Sequence, residues 1–126
     1  MAEQTQDLAG DYTTLFERHL QEIWSSPDAA VRMRALEDIY AKDAVVFDPT
    51  SEVHGLEAIS NMVETLLAGL PAGFVFTATA PALGHHGMYS LPWRGGPPDN
   101  PSMLTGYDLV RFENGLMNDI YVLINP

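Results

Sequence analysis

The sequence predicts an α+β domain, a cone-shaped barrel in which three N-terminal helices pack on a strongly curved antiparallel sheet. Three observations lead there: helical apolar spacing over residues 8–40, a third helix framed by Gly55 and Gly69, and a change to strand alternation after Gly73. A curved sheet plugged by helices encloses a cavity, the usual seat of a small-molecule ligand.

Taken in order, Leu8, Tyr12, Leu15, Phe16, His19 or Leu20, Ile23 and Trp24 share one face of a first helix. Ser26 and Pro27 read as the N-cap and first-turn pair of a second helix carrying Val31, Met33, Ala35, Leu36, Ile39 and Tyr40. The run 44–47, Ala-Val-Val-Phe, is a short strand stopped by Asp48-Pro49. The third helix opens at Gly55, bears Ile59, Met62, Val63, Leu66 and Leu67, and ends at Gly69 and Pro71. Strands are expected at 74–80, at 86–93 with Tyr89, Leu91 and Trp93 on one face, at 103–112 and at 117–124. Gly84 is placed in a turn, 94–101 (RGGPPDNP) in a loop, and Glu113-Asn114-Gly115 in a hairpin.

With 126 residues, 46% of them hydrophobic, the chain is expected to form a single domain (1–126) with a real core. The start MAEQTQDLAGD has neither the basic opening nor the apolar centre of a secretory signal, so the expected location is cytoplasmic. No apolar run reaches bilayer-spanning length. Six basic against 17 acidic residues, a net charge of −11, make nucleic acid and anionic membrane surfaces poor partners. Without cysteine there is neither a disulfide nor a thiol nucleophile nor a thiolate metal site.

Three residues carry candidate chemistry. Asp48 leaves a strand at the expected cavity rim, where a carboxylate could abstract an activated C–H proton; Asp-Pro is equally a common strand stop. Asp108 shares strand parity with Val110 and Phe112, and an interior carboxyl there must be hydrogen-bonded, paired or protonated. His19 could donate a hydrogen bond or act as an acid, or be a core histidine bonded to a carbonyl. His54, His85 and His86 fit no metal-ligand spacing, so neither metal nor cofactor is expected. The expected lining is Phe16, Tyr40, Met62, Phe76, Trp93, Val110, Phe112, Ile120 and Val122; Trp24 and Tyr40 also read as core, as aromatic strand residues such as Tyr89 and Phe74 do.

The passage YAKDAVVFDP, the following SE…HG…AI and the late pair TGYDLVRFENG…IYVLI resemble the nuclear transport factor 2-like superfamily, in its ketosteroid isomerase and SnoaL-like polyketide cyclase branch. The resemblance spans nearly the whole chain. It implies that Asp48 matches the isomerases' proton-shuttling base, an Asp followed by Pro. It implies that Asp108, three residues before Arg111 in YDLVRF, matches the carboxyl that donates to the enolate oxygen. The segment FERHLQEI puts His19 where that family has a donor tyrosine. Similarity to epoxide hydrolases of this fold is poorer, because Gly106 stands where their Arg-x-Asp pair has arginine. The expected activity is cofactor-free acid/base chemistry on a small, mainly apolar carbonyl compound, with Asp48 as base and Asp108 and His19 as donors. The alternative is a non-catalytic ligand-binding or accessory domain of the same fold. The resemblance also implies a homodimer through the outer sheet face, where Tyr107, Leu109, Tyr121 and Leu123 lie opposite Asp108 and want cover.

Overall fold

The computed structural model describes residues 12–126; Leu8 and the rest of the first helix's expected opening lie outside the described residues. The described part of α1 runs over 12–24, and its second half, His19–Trp24, is wound as a π-helix. Then come α2 (Ala29–Ile39), β1 (Tyr40–Phe47), β2 (Glu52–His54) and α3 (Leu56–Ala68). The chain finishes with β3 (Val75–Ala78), β4 (Leu83–His85), β5 (Met88–Gly96), β6 (Leu104–Glu113) and β7 (Leu116–Ile124). The strands form one open sheet in the order β2-β1-β7-β6-β5-β3, with β4 also paired to β5. This is the expected α+β architecture. One pairing departs from it: β1 runs parallel to β7, so the sheet is mixed.

The N-cap of α2 is Asp28 rather than Ser26, because its carboxylate reaches two free backbone donors, Ala30 N–H at 2.9 Å and Val31 N–H at 3.2 Å. The Ser26 carbonyl instead accepts from the buried Arg32 guanidinium at 2.6 Å, and Arg32 also donates to Ser60 Oγ at 3.0 Å and to Glu64. One side chain thereby ties the α1–α2 link to both α2 and α3.

Strand β1 starts four residues earlier than its apolar run, directly at Tyr40. Between Tyr40↔Met117 and Val45↔Asp119 its pairing with β7 slips register, a bulge that absorbs residues 41–43. At the other expected loop, residues 94–96 remain in β5, paired to β3 and β6. Glycine is required there for packing, since a Cβ on Gly95 would lie 2.8 Å from the rings of both Phe74 and Phe76. The β4–β5 turn is made by His86 (φ 55°) and Gly87 (φ 83°), not Gly84, while Asn114 (φ 55°) and Gly115 (φ 79°) close the β6–β7 hairpin as the Asn-Gly signal requires.

Alternation then decides what faces inward. Tyr89, Leu91 and Trp93 of β5 and Asp108, Val110 and Phe112 of β6 are all buried against the helices. Among the described residues no helix is long and apolar enough to cross a membrane.

Candidate functional site: a carboxylate-bearing apolar cavity

Between the inner sheet face and helices α1 and α3 lies a cavity of about 260 Å³. Its walls are mainly apolar: Leu20 and Trp24 of α1, Leu66 of α3, Phe76, Trp93, Leu104, Val122 and Ile124 of the sheet, and the turn at Pro49 and Thr50. Phe76 packs edge-on against Trp93 at 5.4 Å and against Trp24 at 6.5 Å, so three rings brace one another around the space. Among the described residues the only ionisable lining groups are two carboxylates, Asp48 and Asp108.

Asp108 is 3% exposed and His19 is fully buried. Their side chains meet at 2.7 Å, His19 Nε2 to Asp108 Oδ2, although 89 residues separate them. Trp93 Nε1–H donates to the other carboxylate oxygen at 3.0 Å. On its far side, His19 Nδ1 lies 2.8 Å from the Tyr40 hydroxyl, which accepts from Trp24 Nε1–H at 3.1 Å.

Directions follow from what each group can do. An indole N–H only donates, so the Tyr40 oxygen is an acceptor from Trp24. Its own proton then has one acceptor in the network, a bare His19 Nδ1. His19 therefore carries its hydrogen on Nε2 and donates to Asp108, which receives from both sides as a carboxylate. In this arrangement every donor has an acceptor, and no buried side-chain polar atom among the described residues is left unpaired. Burial pushes the Tyr40 phenol far above its ordinary pKa, with the Trp24 bond opposing and the Asp108 charge adding, so Tyr40 keeps its proton.

The π-helix makes this junction possible. His19 and Trp24 are five residues apart, which on an α-helix would set them about 140° from each other. The wider π turn stacks residues of that spacing, so both reach the same hydroxyl.

Asp48 sits half-buried at the rim. Its Oδ1 accepts from Thr50 N–H at 2.9 Å, Ser51 N–H at 2.7 Å and Thr50 Oγ1 at 3.3 Å, an Asx turn that also ends the strand. Burial raises its pKa, but the bonds from Thr50 and Ser51 together outweigh burial and the net shift is downward. Asp48 is thus held as an anion to lower pH than an ordinary carboxylate.

Of the three expected chemical residues, Asp48 and Asp108 line one cavity, and His19 stands behind Asp108 without lining it. Among the expected lining residues, Phe76, Trp93 and Val122 are on the wall. Phe16, Tyr40, Val110, Phe112 and Ile120 are buried in the core instead, and Met62 packs half-buried against that core. Trp24, read as core, is both wall and network, a role the sequence reading misses although a buried indole N–H must find a partner. His54 bonds exposed Glu52, and His85 at the end of β4 meets His86 of the following turn, both exposed. Among the described residues no three metal-ligating side chains gather.

The model of the SnoaL-like domain matches residues 16–120. The chain belongs to the SnoaL-like family. Its fold matches a SnoaL-like protein of Agrobacterium tumefaciens, provisionally assigned as an isomerase, with TM-score 0.81 at 22% identity, covering 90% of this chain and 96% of that one. A provisionally assigned polyketide cyclase of Sinorhizobium meliloti matches with TM-score 0.67 at 16% identity, over 90% and 97% of the two chains. A provisionally assigned ketosteroid isomerase of Kribbella flavida matches with TM-score 0.67 at 12% identity, over 90% and 77%. No curated protein matches the sequence. At these identities the SnoaL-like relatives establish a shared fold, and the chemistry rests on the cavity itself.

Proposed function

We propose that this SnoaL-like domain is a cofactor-free acid/base enzyme of the isomerase or cyclase kind, moving a proton on a small, mainly apolar carbonyl compound. The observation that carries this reading is the pair of carboxylates, Asp48 from the turn after β1 and Asp108 from β6, on one apolar cavity in unlike surroundings. Such pairs divide acid and base roles between them.

The bond directions support a modified division of labour. Asp108, already an acceptor from His19 and Trp93, takes a proton first and returns it afterwards; His19, held in place through Tyr40, steadies the carboxyl in both states. Asp48, kept ionised by its turn, is the second base at the rim.

The test needs no knowledge of the natural substrate. 2-Tetralone has activated C–H bonds beside its carbonyl and an apolar body, and in D₂O their exchange is followed by proton NMR. The wild-type domain is expected to accelerate that exchange by about 10²-fold or more over buffer. Binding of the ketone without acceleration would instead identify the non-catalytic ligand-binding alternative.

We also propose a homodimer through the outer sheet face. Tyr107 (46% exposed), Tyr121 (41%) and Leu123 (50%) stand there together, with Phe47 stacked on Tyr121 at 4.5 Å. Light scattering is expected to give twice the chain mass, falling to a single chain in Tyr107→Glu/Leu123→Glu; a monomeric wild type at micromolar concentration contradicts the dimer.

A further inference from the structure

Among the described residues, every side-chain hydrogen-bond donor on the cavity wall is already committed within the protein. Trp24 Nε1–H goes to Tyr40, Trp93 Nε1–H to Asp108, and the Thr50 hydroxyl to Asp48. No described lysine, arginine or histidine lines the space. What remains on offer is acceptor capacity alone. The Thr50 and Ser51 backbone bonds and the Thr50 hydroxyl land on Asp48 Oδ1, the Ser51 side chain bonds the same carboxylate, and the Asp108 oxygens each hold one bond where a carboxylate oxygen can take two.

From this inventory we infer that the cavity selects its ligand by charge and bond polarity: it takes a compact apolar body bearing a hydrogen-bond donor or a positive charge, and rejects carboxylates and phosphates. An ammonium or an enolic or phenolic hydroxyl finds an ionised oxygen waiting beside aromatic faces, which themselves favour cations. An anion finds two like charges, no donor, and apolar walls that strip its water. This inference rests on the small-molecule reading above and narrows its substrate class.

Three ligands sharing one bicyclic body separate the possibilities: 2-aminotetralin as its ammonium, 2-tetralone, and 1,2,3,4-tetrahydro-2-naphthoate. Both tryptophans of the chain, Trp24 and Trp93, line the cavity, so quenching of intrinsic fluorescence excited beyond tetralin absorbance reports occupancy directly. At physiological salt the ammonium is expected to bind best and the carboxylate about tenfold or more weaker. Asp48→Asn should shrink that gap, whereas Glu37→Gln, which removes an equal charge from an exposed position on α2, should leave it unchanged because distant surface charge is screened. A carboxylate that binds as tightly as the ammonium, or a gap that Asp48→Asn and Glu37→Gln alter alike, overturns charge selection while leaving the small-molecule reading intact. If none of the three quenches, the small-molecule reading falls and this inference with it.

Discussion

Replacing Asp108 by Asn is expected to abolish most proton transfer, lowering the 2-tetralone exchange rate by about 10²–10⁴-fold. The substitution is close to isosteric, so the cavity keeps its shape, and the amide oxygen can still accept from Trp93. The amide nitrogen, however, cannot accept a proton. It also presents a donor to His19 Nε2, which in the wild type is itself the donor. His19 can respond only by moving its hydrogen to Nδ1, which leaves the Tyr40 proton without its acceptor. That loss should cost about 1–3 kcal/mol in a buried network. The domain is therefore expected to remain folded but melt earlier, and ketone binding measured by fluorescence separates lost chemistry from lost structure. An Asp108→Asn variant that binds 2-tetralone and exchanges it at the wild-type rate would remove Asp108 from the reaction.

The largest stability effect is expected at Arg32. Its side chain is buried, and the Ser26 carbonyl and Ser60 hydroxyl both depend on it. Glu64 is more than half exposed, so the ion pair itself contributes little. Arg32→Ala leaves a buried carbonyl unpaired and a void where the guanidinium and its stem were, at an expected cost of about 3–5 kcal/mol in urea unfolding. Lys should recover only part of this, because a single ammonium cannot span the forked set of acceptors. A loss below about 1 kcal/mol would mean that the helical layer does not depend on this tie.

Much of the fold was legible because alternation is a local signal. Asp108, Val110 and Phe112 fall on one face by parity alone, as do Tyr89, Leu91 and Trp93, and Asn114-Gly115 announces its own turn. What escaped local reading depends on distant partners. Residues 41–43 look like a continuing helix end, yet β7, from the far end of the chain, draws them into a bulged strand. Gly95 and Gly96 look like a loop, yet both lie in β5, and close packing requires their small size, against the Phe74 and Phe76 rings at Gly95 and against the Asn100–Pro101 backbone of the following loop at Gly96.

The same division holds for the site. Asp48 and Asp108 could be singled out from strand ends and parity, whereas the chain from Asp108 through His19 to Tyr40 and Trp24 could not. The helical reading of residues 19–24 leaves open whether His19 or Leu20 shares the apolar face with Trp24 and names no polar partner for either; the π-helical turn brings His19 and Trp24 to one hydroxyl. Buried tryptophan and tyrosine, each with a polar tip to satisfy, were the residues to question.

The organisation of the site comes down to one proton on one ring. In ¹⁵N NMR, with His19→Gln used to assign its signals among the four histidines, His19 is expected as a neutral imidazole with hydrogen on Nε2 and a bare Nδ1. Tyr40→Phe should dissolve that single tautomer into a mixture while the fold persists. A wild-type His19 bearing its hydrogen on Nδ1 would make Asp108 the donor in their bond and contradict the carboxylate-acceptor cavity on which the proposed chemistry stands.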